Sequence, residues 1–130
     1  MKERSSSADL KTDALPQIIR PRLFIGGELL VGPGKIDLLR AVRETGSISA
    51  AARATGVGYK RAWTLLDEIR QACGADVIAS SAGGSGGGGA TVTAFGESLI
   101  AHYEAVEAAC GAAAAPHLKQ LRRLLDRARR

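Results

Sequence analysis

Lys60, Arg61 and Thr64 fall within five consecutive residues, and on a helix they share one side. The surrounding stretch, residues 45–66, holds one further cation, Arg53, and no acid. Two cations and a hydroxyl so placed suit recognition of a polyanion. Lys60 can meet a phosphate as a point charge, and Arg61 can meet a phosphate or the O6 and N7 edge of guanine with its planar fork. Thr64 can touch a thymine methyl or a phosphate, and is equally well read as a surface threonine. The cations, too, could form no more than a solvated face. Upstream, Ser47 and Ser49 precede or open a helix, where capping and phosphate contact are compatible roles for Ser47. Tyr59 falls on the anchoring side by angle, so its ring belongs in the core with the hydroxyl reaching toward a phosphate. Trp63 is expected to pack.

Other chemistry finds less support. His102 and His117 lie on predicted helices without a cysteine or carboxylate cluster at metal spacing. Cys73 sits at a helix C-terminus, where the dipole disfavours a thiolate. Gly84 and Gly89 bracket four residues, as in a nucleotide P-loop, but Ala90-Thr91 stand where that loop needs Lys and then Ser or Thr. The expectation is a protein without catalytic residues, metal or cofactor.

The elements that must position Lys60, Arg61 and Thr64 can be read on either side of them. RPRLFIGGELL, residues 20–30, has two apolar runs around Gly26-Gly27 and predicts a hairpin. Ile36, Leu38, Leu39 and Val42 give a first helix an apolar face over Lys35–Thr45, closed by Gly46. Ser47 caps a second, alanine-rich helix over Ile48–Ala54. A break at Gly56 and Gly58 leads into a third helix, Tyr59–Cys73, stopped by Gly74. Its predicted apolar stripe is Tyr59, Ala62, Leu66, Ile69 and Cys73. Strands are expected at Asp76–Ala79 and Ala90–Thr93, joined by the loop SSAGGSGGGG. In that wing Gly83, Gly84, Gly86, Gly87, Gly88 and Gly89 let backbone approach a phosphate or the minor groove. No basic residue lies there, so contact falls to backbone N–H groups or to Ser80, Ser81, Ser85 and Thr91. A last helix runs from Ala94 to about Cys110. Phe95, Leu99, Tyr103, Val106 and Cys110 recur along it at spacings of four, four, three and four, which reads as one dimerisation seam. Gly111–Pro116 reads as a break before an amphipathic segment, His117–Arg130.

The 130 residues suffice for one compact domain, and 45% apolar content can furnish its core. Net charge is +5, but residues 1–115 balance twelve basic against twelve acidic side chains, so the excess lies in the last fifteen residues. The acid-free stretch around Lys60 is therefore better support for a polyanionic partner than the whole-chain charge. Two cysteines make no disulfide framework and suit a reducing cytosol. MKERSSSADLKTDALPQ has no apolar signal core, and no run approaches a membrane span. A cytoplasmic protein without membrane contact is expected, with residues 1–19 as a flexible tail.

In this order, GPGKIDLLRAVRETGSISAAARATGVGYKRAW followed by GGSGGGGATVTAFGESLI resembles the DNA-binding domain of the ModE-type molybdate-dependent regulators, which is similar to the winged helix of LysR-type regulators. The resemblance covers roughly Leu23–Glu107. It rests on Tyr59-Lys60, Ala62-Trp63 and the glycine wing followed by Thr93, Phe95 and Gly96. One departure is Gly58, where a serine often stands in that family. Family members carry C-terminal oxyanion-binding domains that bind molybdate, and no such domain fits the residues after Glu107.

The resemblance implies a winged helix-turn-helix fold, mainly α with a small β wing, binding double-stranded DNA as a homodimer on an approximate palindrome. The expected divisions are residues 1–19, a DNA-binding domain at 20–110 with its dimerisation helix at 94–110, and a basic C-terminal segment at 111–130. Two alternatives stay open: a protein-interaction winged helix without a DNA role, and a regulator sensing a molybdate-like oxyanion through the dimer region or a partner chain.

Overall fold

The structure, a computed structural model, describes residues 19–84 and 87–130. Expectations for residues 1–18, and for Ser85 and Gly86 in the wing, lie outside the described residues. Arg20–Glu107 forms one compact unit, and Ala108–Arg130 belongs to a second.

The first unit opens with an antiparallel hairpin, β1 (Leu23–Ile25) and β2 (Glu28–Val31). Gly26 and Gly27 join them at φ of 66° and 85°. A two-residue turn with positive φ at both positions matches the twist of the flanking strands, which is why the Gly-Gly pair predicts this hairpin. Helix α1 (Pro33–Thr45) starts two residues earlier than expected, because Pro33 at its first turn has a φ already set for a helix. Helix α2 (Ile48–Thr55) is capped by Ser47, whose Oγ accepts the Ala50 N–H at 3.0 Å. Gly56 ends α2 at φ 71°, in the left-handed region that turns the chain sharply toward α3 (Tyr59–Cys73). These helices bury Leu38, Leu39 and Val42 from α1, Ala51 and Ala52 from α2, and Ala62, Leu66 and Ile69 from α3 in one core. The two alanines keep α2 thin, so it lies close to its neighbours.

Strands β3 (Ile78–Gly84) and β4 (Gly87–Val92) form the wing. Their antiparallel register runs from Ile78 opposite Val92 to Gly84 opposite Gly87, with an irregularity between Ser81 and Gly84. Most of the segment expected as a loop is thus ladder. Gly83, Gly84, Gly87, Gly88 and Gly89 all fall within strands. Sequence patterning missed this because backbone pairing needs no side chain, and glycine carries no alternating pattern to mark a strand. The architecture is a winged helix-turn-helix, mainly helical with a small β component.

Helix α4 (Ala94–Ala128) follows the wing. Thr93 fixes its start: the hydroxyl donates to the Asp76 carbonyl at 2.7 Å and accepts the Gly96 N–H at 3.0 Å. Gly96 is pressed against the wing, and a Cβ there would meet Val92 Cγ1 at 2.6 Å and the Val77 carbonyl oxygen at 2.7 Å. Alanine normally favours a helix over glycine by about 1 kcal/mol. Gly96→Ala is nevertheless expected to destabilise the protein by about 1–3 kcal/mol, because the backbone oxygen cannot yield as a side chain would. Urea unfolding would check the sign, which propensity alone predicts to be opposite.

Two expectations about this helix are corrected. The break expected at Gly111–Pro116 is absent: α4 continues through both residues as one helix of 35 residues. Four consecutive alanines, 112–115, are the strongest helix formers, and they offset the backbone bond lost at Pro116. The dimerisation seam is also divided. Tyr103 is 1% exposed, packed with Val31 and Ile36, and its hydroxyl donates to the Pro21 carbonyl at 2.7 Å. Leu99 is half-buried against both apolar clusters of its own chain. Phe95 and Val106 are exposed. Helical spacing groups these residues on one face, but cannot say that the β1–β2 hairpin covers its middle. Ile100, absent from the expected seam, is buried in the main core.

Ion pairs hold α1 against α4. Arg43 bonds Glu97 at 3.1 Å, and Arg40 bonds Glu104 at 2.8 Å and Asp37 at 2.7 Å. Arg20 reaches Asp37 and Glu107. Partial burial pushes the Asp37 carboxyl up, but hydrogen bonds from Arg20 and Arg40 outweigh it and hold the group below its ordinary value. Folding therefore favours the charged form. The resulting stability is present at neutral pH and is lost as pH falls below about 4 and through the lowered value. Asp37→Asn is expected to flatten the fall in melting temperature over that range, as measured by circular dichroism.

Candidate nucleic-acid interface

Helix α3 buries Ala62, Leu66 and Ile69 and turns Lys60, Arg61 and Thr64 outward, all three exposed. Thr64 Oγ1 donates to the Lys60 carbonyl one turn back at 3.2 Å, which leaves its methyl and its lone pairs for a partner. Neither Lys60 nor Arg61 forms an ion pair among the described residues. The acids further along α3 are engaged elsewhere. Glu68 pairs with Lys35 of α1 at 3.1 Å. Asp67 accepts from Arg70 at 2.7 Å and from Gln71 at 2.6 Å, and the Arg70 bond holds its carboxyl below the ordinary value. The N-terminal half of α3 thus presents positive charge with its acids tied off behind it.

Tyr59 and Trp63 depart from the predicted anchor. Tyr59 is 55% exposed and Trp63 44%, and the rings meet edge to face at 6.3 Å. Side chains on a helix lean toward its N-terminus, so a ring at the first position of α3 projects past the turn that α2 covers. Trp63 follows it one turn later.

Helix α2 brings its own hydroxyls to the same region. Ser47 is half-buried as the cap, and Ser49 is exposed and accepts Arg53 Nη1 at 3.0 Å. The wing is tied in by its backbone: the Ala90 N–H donates to the Gly46 carbonyl at 2.9 Å, and the Thr93 N–H donates to the Val77 carbonyl at 3.0 Å. As a result Ser47, Ser49, Tyr59, Trp63, Ser80 and Gly89 border one open notch of about 280 Å³. Thr91 is exposed on β4, its hydroxyl 3.5 Å from the Ala79 carbonyl. Arg61 faces the other way and shares a recess with Arg22 and Lys35. Sequence reasoning missed those two cations, which come from chain segments far from α3 and carry no local signal.

Burial pushes the Cys73 thiol up, which disfavours its thiolate. No helix among the described residues is long and apolar enough to cross a membrane.

No family model matches the chain. It is 42% identical over 78 residues to the molybdenum-pterin-binding protein MopB of Rhodobacter capsulatus, covering 60% of this chain and 29% of that one. It is 38% identical over 77 residues to the DNA-binding transcriptional dual regulator ModE of Escherichia coli K12, with 59% and 29% covered. The molybdenum-pterin-binding protein MopA of R. capsulatus is 35% identical over 94 residues, with 72% and 36% covered. The chain thus matches only 29–36% of the length of these relatives. Among solved structures, a MarR family protein of Mycobacterium tuberculosis in complex with p-aminosalicylic acid covers 98% of this chain and 89% of its own, at 24% identity and a TM-score of 0.46. That resemblance is too loose to place the chain in the MarR family.

Proposed function

We propose that this chain, a homologue of the ModE-type regulators over the matched stretch, is a sequence-specific DNA-binding transcriptional regulator that acts as a homodimer. The observation that carries the reading is the outward Lys60 and Arg61 at the start of α3, neither in an ion pair among the described residues. In this reading α3 enters the major groove by its N-terminal end. Arg61 reads a base or clamps a phosphate, Lys60 meets the backbone, and Thr64 lies one turn deeper. Ser47, Ser49 and Tyr59 meet the backbone beside the groove, and the wing approaches it from the far side. Two such helices would occupy successive major grooves ~34–36 Å apart on an approximate palindrome.

Dimerisation in this reading uses the apolar residues α4 leaves exposed. Phe95 and Val106 remain exposed from the seam. Tyr103 serves its own protomer, and Leu99 is shared between core and surface.

A salt titration of binding to random-sequence duplex tests the DNA role. Fluorescence anisotropy should give a log K that falls by ~0.9 with log salt for each phosphate neutralised by Lys or Arg. No affinity for duplex at low salt would leave the reading without support. The alternative, a winged helix that binds only protein, predicts that null result.

A further inference from the structure

We propose that the notch between α2, α3 and the wing is a seat for one DNA backbone phosphate, held by neutral donors rather than by cations; the assignment rests on the DNA-binding reading above. The notch is lined by Ser47, Ser49, Tyr59, Trp63 and Ser80, with Ile48 and, from the second wing strand, Gly89 and Ala90. Among the described residues, none of its lining side chains is charged. Its side-chain donors come from the start of α2, the start of α3 and the wing strand β3, so no single element makes the site.

The bonds already present leave hydrogens to give. Ser47 Oγ is occupied as an acceptor by the Ala50 N–H, and Ser49 Oγ by Arg53 Nη1. Each hydroxyl still has its own hydrogen to donate. The Ala90 N–H is spent on Gly46, which fixes the far wall in place. Tyr59 is more than half exposed and its ring meets that of Trp63 edge to face at 6.3 Å, which steadies it. An oxyanion suits this lining better than a cation does, because every side-chain polar group in it can donate and none is a carboxylate.

The chemistry has a distinctive consequence. Lys and Arg contacts displace counterions and steepen the salt dependence, whereas hydroxyl contacts add affinity without changing that slope. The notch therefore supplies the part of the affinity that survives at high salt. Trp63 is the only tryptophan in the chain and forms one wall, so its fluorescence reports occupancy directly.

The test uses the full chain, a random-sequence 20–30 base-pair duplex (about two to three turns) and a series of salt concentrations. The variants are Ser49→Ala, Tyr59→Phe and Ser80→Ala, singly and together. All three positions are exposed and Tyr59→Phe keeps the ring, so the fold should survive, with circular dichroism melting as the check. Each variant is expected to weaken binding about three- to tenfold at every salt concentration. The slope of log K against log salt should stay that of the parent, and the Trp63 response should shrink. Lys60→Ala, as contrast, should lower the slope by ~0.9. Parent-like affinity in the triple variant, or a shallower slope in it, would overturn the seat while leaving DNA binding intact. A parent chain that binds no duplex overturns both readings.

Discussion

Tyr103→Ala is expected to lower the unfolding free energy by about 3–5 kcal/mol, as for other fully buried aromatic rings. The ring is 1% exposed and joins α4 to the β1–β2 hairpin through Val31 and to α1 through Ile36. Tyr103→Phe, which keeps the ring and strips the bond to the Pro21 carbonyl, should cost about 1 kcal/mol. Urea unfolding at several protein concentrations separates two roles for the residue. A core residue gives a loss that does not depend on concentration. A residue whose contacts lie between protomers gives a loss that rising protein concentration partly recovers. The second pattern would contradict the placement of Tyr103 within its own protomer.

Arg61→Ala and Lys60→Ala should weaken DNA binding in different ways. If Arg61 reads a base, its loss should cost about 1–3 kcal/mol on a site selected from a random pool, and much less on random duplex. Lys60→Ala should weaken both targets alike and lower the salt slope by ~0.9. Competition binding on selected and random duplexes checks both statements. An equal loss on the two targets for Arg61→Ala would make it a phosphate clamp and move specificity to Thr64 or to DNA shape. Both side chains are exposed and make no ion pair among the described residues, so neither substitution should disturb folding.

The helix-turn-helix was legible because its signals are local. Ser47 caps α2 where its type and position say it should, and Gly46, Gly56 and Gly74 each end a helix in the left-handed conformation. Ala62, Leu66 and Ile69 are buried as periodicity predicts. What stayed illegible depends on neighbours distant in sequence. A helical wheel groups Leu99 and Tyr103 with Phe95 and Val106, but the hairpin that covers Tyr103 is made more than seventy residues earlier. The same limit applies to Tyr59: the wheel gave its angle, not the point at which α2 stops covering α3. Lys35 neutralising Glu68, and Arg22 beside Arg61, are likewise products of packing. Pro116 misled for another reason. The rule that proline breaks a helix is a cost, and here four alanines stand against it.

The Ala90–Gly46 bond bears on how motion in the domain can be observed. Ala90 is a buried wing residue, and Gly46 is the joint between α1 and α2. Its amide can exchange with solvent only when the wing base parts from that joint. A slow Ala90 amide in deuterium exchange would mean that wing and helices open as one cooperative unit; a fast one would mean that the wing detaches alone. A single backbone proton thus serves as a built-in gauge of whether the reading surface is one body or two.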